Sequence, residues 1–110
     1  MTLDDAMRFV RAIRRIDSEM PLQQIHCLLI VAQEEDGISL SELARKAEIG
    51  IATASRYVAA LGKINRHREE GFNLIEAFED PMERRRKIIR LTPKGKAALK
   101  NILGEAHAHL

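Results

Sequence analysis

Cys27 is the only cysteine in the 110 residues, so no intramolecular disulfide can form. It sits in the apolar run Ile25-His26-Cys27-Leu28-Leu29-Ile30-Val31, where its expected role is that of a small buried hydrophobe. No cluster of positive charge surrounds it to activate a catalytic thiolate. Aromatic residues are nearly absent as well, with three Phe, one Tyr and no Trp. The core must then come from Leu, Ile, Ala and Val, and a 45% apolar fraction of that kind favours packed helices over a β-sandwich. No apolar run approaches the ~20 residues of a membrane span, and the N-terminus lacks the apolar stretch of a secretory signal, so a cytoplasmic protein without a membrane role is expected. The chain also lacks a Gly-rich phosphate loop, zinc-ligand spacing, and any Ser/His/Asp or Cys/His constellation. Of the histidines at 26, 67, 107 and 109, the pair His107-Ala108-His109 belongs to a tail expected to fray. An enzyme, a metal centre and a bound cofactor are therefore not expected.

What the chain does have is an uneven distribution of charge. Residues 1–44 carry four arginines against eight acids, whereas residues 45–100 carry fourteen Lys or Arg against seven acids. Positive charge gathered on one part of a chain suits a polyanion-binding surface, and it also suits a plain solvated face.

Periodicity divides the chain into helices, then a hairpin, then a helix. Apolar positions 3, 6, 7, 9, 10, 13 and 16 predict a helix from Leu3 to Ser18, ended by Met20-Pro21. A second helix is predicted from Pro21 to about Glu35, with Leu22, Ile25, Leu28, Leu29 and Ala32 facing inward. Asp36-Gly37 reads as a turn. Ser39 then serves as N-cap of a short helix, and Glu42 completes a capping box. That helix stops near Glu48-Ile49-Gly50, and another runs from Ile51 to about Gly62 with Ala54, Val58 and Leu61 on one face. Residues 72–78 and 87–91 are strand-like and flank the turn Asp80-Pro81-Met82-Glu83, which makes a β-hairpin. Thr92-Pro93 starts the last helix, which carries Ala97, Leu99, Ile102 and Leu103.

This order predicts a mainly α fold with a small β-hairpin, a winged helix-turn-helix, as one domain over residues 1–110. Residues 38–92 form its DNA-binding part, and the helices in 1–19 and 93–110 serve dimerisation. Ala44 is small enough to let the two helices of the motif cross closely. The N-terminal turns of the second helix would enter the major groove of double-stranded DNA. The candidate contacts there are Ser39, Ile51, Ala52, Thr53, Ser55 and Arg56, with Arg66 further along the chain. In the hairpin, Arg84-Arg85-Arg86-Lys87 suits a minor groove or flanking phosphates, and also an edge strand protected by charge. Strand alternation would put Arg84 and Arg86 on one face toward DNA and leave Arg85 to pair with Glu83 or Asp80. The wide apolar stripe of Leu3, Ala6, Phe9, Val10 and Ile13 predicts a homodimer in which the first and last helices pack across a two-fold axis. A winged helix used as an architectural or protein-interaction module, as in a phage or plasmid, is the alternative to a sequence-specific transcriptional regulator.

Three stretches carry a resemblance: Ile38–Leu61, Asp80-Pro81-Met82-Glu83-Arg84-Arg85, and Leu91-Thr92-Pro93-Lys94-Gly95. Together they resemble the MarR family of bacterial and archaeal regulators, whose wing has the form D-x-R-D-x-R and whose next strand ends in L-T-x-x-G. The resemblance covers roughly residues 20–103. It implies a repressor-type regulator, a structural role in the wing for Asp80, Glu83 and Arg85, and an amphipathic small-molecule effector that nothing else in the sequence supports. Three departures stand out. Met82 replaces the wing-tip arginine, so Arg84 is expected to substitute for it. About six extra residues lie between Leu61 and Gly71, and they either lengthen the recognition helix or form a basic loop. The last helix is short for the family's dimer interface, which must be shortened or rebuilt.

Overall fold

Two reciprocal hydrogen bonds start the first helix, α1 (Leu3–Ile16). The Asp5 amide donates to Thr2 Oγ1 at 3.1 Å, and the Thr2 amide donates to Asp5 Oδ2 at 2.8 Å. Asp5 is buried and pairs with Arg8 at 3.0 Å. The computed structural model in which this is seen describes residues 1–63 and 70–106. It orders the remaining elements as α2 (Leu22–Gln33), β1 (Ile38–Ser39), α3 (Leu40–Ala47), α4 (Ile51–Leu61), β2 (Ile75–Glu79), β3 (Lys87–Leu91) and α5 (Pro93–Ala106). Among the described residues no helix is long and apolar enough to cross a membrane.

α2 runs through the centre. Its buried residues are Gln24, Cys27, Leu28, Ile30 and Val31, and Pro21 stands before the helix as its cap residue. Of the inward face that the sequence suggested, Leu28 is buried and Ile25, Leu29 and Ala32 pack against the core, but Leu22 is 82% exposed. The helix is apolar on most of its sides, so spacing alone does not select which side turns inward. Cys27 lies in the core, and burial pushes its thiol pKa up.

The sheet has three strands, not the two of a simple hairpin, in the antiparallel order β1-β3-β2. Ile38 faces Ile89 and Ser39 faces Ile88, while β2 pairs with β3 from Ile75↔Leu91 to Glu79↔Lys87. β1 was not foreseen, because two residues are too few for an alternation to show. The turn into β1 passes through Gly37 at φ +94°, where a Cβ would meet Ile88 Cγ2 at 2.3 Å.

β2 also begins later than expected. Residues 72–74 donate their amides to the last carbonyls of α4 and to that of the cap residue after it: Phe72 to Ala60 at 3.4 Å, Leu74 to Leu61 at 2.8 Å and Asn73 to Gly62 at 2.8 Å. They thereby satisfy the acceptors that every helix leaves open at its C-terminus. The Gly71 amide donates to the Lys63 carbonyl at 2.8 Å. Helix α4 therefore ends at Leu61 and is not lengthened as far as Lys63.

The Leu-Thr-Pro-Lys-Gly junction has a mechanical explanation. Thr92 is buried; its hydroxyl donates to the Asn73 carbonyl at 2.7 Å and accepts from the Gly95 amide at 2.9 Å. The Thr92 amide donates to the Leu74 carbonyl at 3.0 Å. Helix α5 thus starts hard against the segment before β2, so close that a Cβ on Gly95 would lie 1.9 Å from the Leu74 carbonyl oxygen. α5 then packs along α1 of the same chain. Ala12 and Ile13 join Leu99 and Ile102 in the core, and Arg15 pairs with Glu105 at the surface. The first and last helices thus pack against each other within one chain. This packing leaves Leu3, Met7 and Val10 of α1 exposed, along with Leu103 of α5.

Candidate nucleic-acid interface

Helices α3 and α4 meet at a turn made by a residue other than glycine. Glu48 takes the left-handed conformation, at φ 57° and ψ 42°, and its amide returns to the Ala44 and Arg45 carbonyls. Gly50 lies at φ −70° and is the extended residue that precedes α4. Ala44 is buried at the crossing, as its size suggests, with Leu43, Ala54 and Leu61 fully buried around it.

With Ala54 and Leu61 turned inward, α4 presents Ile51, Ala52, Ser55 and Arg56 to solvent, while Thr53 is half-buried. Arg56 Nη2 approaches Thr53 Oγ1 at 3.5 Å, so the guanidinium lies along the helix toward its N-terminal turn. No side chain caps that terminus, which leaves its first amides open to an anion. Tyr57 braces the helix from behind, its hydroxyl donating to Gln23 Oε1 of α2 at 3.1 Å.

Ser39 does not belong to this surface. It is only 6% exposed, its hydroxyl accepts from the Glu42 amide at 3.2 Å, and its backbone pairs with β3. The cap is present, but the Glu42 carboxylate does not return to close a box: Arg45 Nε donates to it at 3.0 Å. That hydrogen bond, with the charges of Arg45, Lys46 and Arg86, holds the Glu42 carboxyl below its usual range. The exposed hydroxyl at this helix end is Ser41, 3.4 Å from Ser39 Oγ. The repeated serine of Ser39-Leu40-Ser41 was the available signal, and burial decides between the two.

The wing tip is built from two successive turns. The Asp80 amide donates to the Arg86 carbonyl at 2.8 Å, Glu83 to Asp80 at 3.2 Å, and Arg86 to Glu83 at 2.9 Å. The Met82 amide donates to Asp80 Oδ1 at 2.9 Å. Arg84, Arg85 and Arg86 therefore precede β3, and strand alternation does not govern them. The arginine that faces an acid differs from the one expected. Arg86 Nε faces Asp80 Oδ2 at 3.9 Å, whereas Arg84 and Arg85 are exposed and make no ion pair among the described residues. Glu83 is exposed and pairs with neither. Behind the tip, Arg90 bonds Glu76 at 2.7 Å and lies 4.4 Å from the centroid of the Phe78 ring, which braces the hairpin. Arg66 falls outside the described residues, as do His67, His107 and His109.

A cleft of about 710 Å3 opens between α2, β3 and α5, lined by Glu34, Glu35, Asp36, Arg90 and Lys96. Its charges are partly paired, Arg90 with Glu76 of the same lining and Glu34 with Lys46 outside it.

No family model matches the sequence, and no curated protein matches it. Solved structures do match. MarR is 25% identical with a TM-score of 0.68, over 93% of this chain and 66% of MarR. The MepR–DNA complex of S. aureus is 20% identical with a TM-score of 0.75, over 94% of this chain and 76% of MepR. RV1404 of Mycobacterium tuberculosis is 19% identical with a TM-score of 0.72, over 94% of this chain and 64% of that protein. The chain thus spans just under two thirds of MarR and of RV1404. Five helices and a three-stranded antiparallel sheet in this order give the chain the same winged helix-turn-helix fold as these structures.

Proposed function

We propose that this protein is a sequence-specific double-stranded DNA-binding transcriptional regulator, a repressor acting as a homodimer. The observation that carries the reading is the outward face of α4. Ile51, Ala52, Ser55 and Arg56 are presented to solvent while Ala54 and Leu61 fix the helix from below. Short apolar and hydroxyl side chains reach base edges and thymine methyls in the major groove, and an arginine takes guanine or phosphate. Thr53 positions Arg56, and Ser41 at the start of α3 takes a backbone phosphate. Arg84 and Arg85 hold the flanking backbone through charge. Asp80 and Arg86 shape the wing that carries them. Similarity to a structure solved as a complex with DNA supports the same reading.

The surface of α1 supports the dimer. Leu3, Met7 and Val10 form an exposed apolar seam at helical spacing, with Asp4 at one end and Arg11 and Arg14 at the other. A second copy running antiparallel would cover the seam and set acids against arginines. Two recognition helices related by a two-fold axis read half-sites about 34–36 Å apart.

The test is selection of duplexes from a random pool, followed by a salt titration of the winners and of the DNA upstream of the protein's own gene. One preferred palindromic sequence, present in that upstream DNA and silencing a reporter in the presence of the protein, is the expected result. Steep salt dependence with no preferred sequence would replace the regulator by an architectural protein.

A further inference from the structure

The most exposed large apolar side chain of the described residues is at the wing tip, where solvent gives it nothing: Met82 is 93% exposed. It lies in a stiff setting. Pro81 fixes the residue before it, the Glu83 amide closes the turn on the Asp80 carbonyl at 3.2 Å, and the Met82 amide is held by Asp80 Oδ1 at 2.9 Å. The Asp80 amide bonds the Arg86 carbonyl at 2.8 Å, so the tip is anchored to the start of β3. Exposed cations follow at Arg84, Arg85, Arg86 and Lys87. An apolar point followed, after the exposed Glu83, by a run of four cations does not suit the phosphate backbone alone, nor a purely apolar surface. It does suit a groove with phosphates along both rims and base edges at its floor.

We propose that Met82 is an apolar wedge that enters the minor groove beneath the wing and leans between neighbouring base pairs, bending the duplex. The proposal rests on the DNA-binding reading and extends it to how the wing selects its site. Apolar side chains, Met and Pro among them, unstack base steps from the minor groove and kink DNA toward the major groove. The thioether is unbranched and polarisable, so it fits an irregular gap and makes favourable contact with ring edges. The exposed arginines grip the phosphates on either side and hold the tip in place. Pyrimidine–purine steps unstack most readily, so the wing prefers TA or CA/TG beneath it without a single base hydrogen bond. Insertion gains apolar burial but opposes stacking, so the bend should respond to substitution more strongly than the affinity does.

The probe is a duplex of ~30 base pairs, selected from a random pool by the wild-type chain and carrying a fluorescence donor and acceptor at its two ends. Wild-type protein should raise energy transfer between the ends. Met82→Ala should bind within about tenfold of wild type yet lose the bend and the TA or CA/TG preference, while Met82→Leu keeps both. Circular dichroism on each variant confirms the fold, and Met82 packs against nothing that its loss would disturb. An unchanged bend in Met82→Ala overturns the wedge, as does a wild-type complex that is sequence-selective but straight; both leave the regulator reading intact. A chain that binds no duplex overturns the two together.

Discussion

Arg86 faces Asp80 across the base of the wing, Nε to Oδ2 at 3.9 Å, and in doing so it leaves Arg84 and Arg85 as the outward pair. The division of labour among the three arginines follows from the double turn that precedes β3. Changing Arg84 and Arg85 together to Ala should weaken binding to all sequences alike and flatten the slope of log affinity against log salt by about 1–2. Arg86→Ala should leave most of that slope and lower stability by less than about 1 kcal/mol, since the pair is half-exposed. Salt titrations on the two variants separate these roles. A wild-type slope in the double variant would remove the wing from the interface.

Arg56 carries the corresponding prediction for α4. Its guanidinium is exposed and its stem lies beside Thr53. Arg56→Ala should weaken specific binding by about 1–3 kcal/mol where the residue reads a base. The melting temperature should hardly move, because exposed substitutions away from special features change stability by less than about 0.5 kcal/mol. Unchanged affinity for the selected duplex in a folded variant takes Arg56 out of the site.

The turn between α3 and α4 is built on Glu48, which adopts a left-handed conformation that a side chain disfavours by roughly 1–2 kcal/mol. Glu48→Gly relieves that strain and adds unfolded-state entropy, with a net gain of about 0.5 kcal/mol. Glu48→Val puts a β-branched residue in the same position and should destabilise by more than about 1 kcal/mol. Chemical denaturation of the pair should therefore move the midpoint in opposite directions.

Much of this arrangement was legible in the sequence where one residue type meets one backbone need. Thr92-Pro93 could be read as a helix start because a hydroxyl caps the first amides and proline suits the first turn; the Thr92 hydroxyl does accept from the Gly95 amide. Ala44 marked the helix crossing for the same kind of reason. Where a pattern had several solutions, the reading failed. α2 is apolar almost all round, so Leu22 was placed inside although it is exposed. Arg84 to Arg86 are identical in type, so only the turn geometry distinguishes Arg86 from Arg85. Ser39 and Ser41 differ in nothing but register, and β1 was too short to reveal which serine is buried.

Cys27 offers a probe of global opening. Burial raises its thiol pKa, so the folded state keeps the proton that the unfolded chain releases from about pH 8.5 upward. Its contribution to stability is fully present below that pH and is lost as pH rises through the folded value. Stability should decline above about pH 8.5 more steeply in the wild type than in Cys27→Ala. At neutral pH a thiol-reactive dye should label Cys27 only as fast as the protein unfolds. Rapid labelling of the native state would contradict the buried position.

The strongest demand on the proposed assembly falls on α1. Within one chain the helix already gives Ala12 and Ile13 to the core, and Leu3, Met7 and Val10 lie outside the core cluster with Val10 53% exposed. Val10→Glu should therefore leave the melting of the monomer nearly unchanged while placing two like charges in the middle of a two-fold seam. In sedimentation at micromolar concentration the wild type should run as a dimer and Val10→Glu as a monomer. DNA binding should then fall steeply, since two linked recognition helices gain from effective concentration and a single one does not. Orientation can be tested through charge. If the helices are antiparallel, Asp4 lies near Arg11 and Arg14 of the second copy, so Asp4→Arg should weaken the dimer. Adding Arg14→Asp to the same chain should restore it, because each copy then meets the reversed charge. A wild-type chain that sediments as a monomer would rule out the dimer through α1. A dimer indifferent to Val10→Glu would place the interface elsewhere.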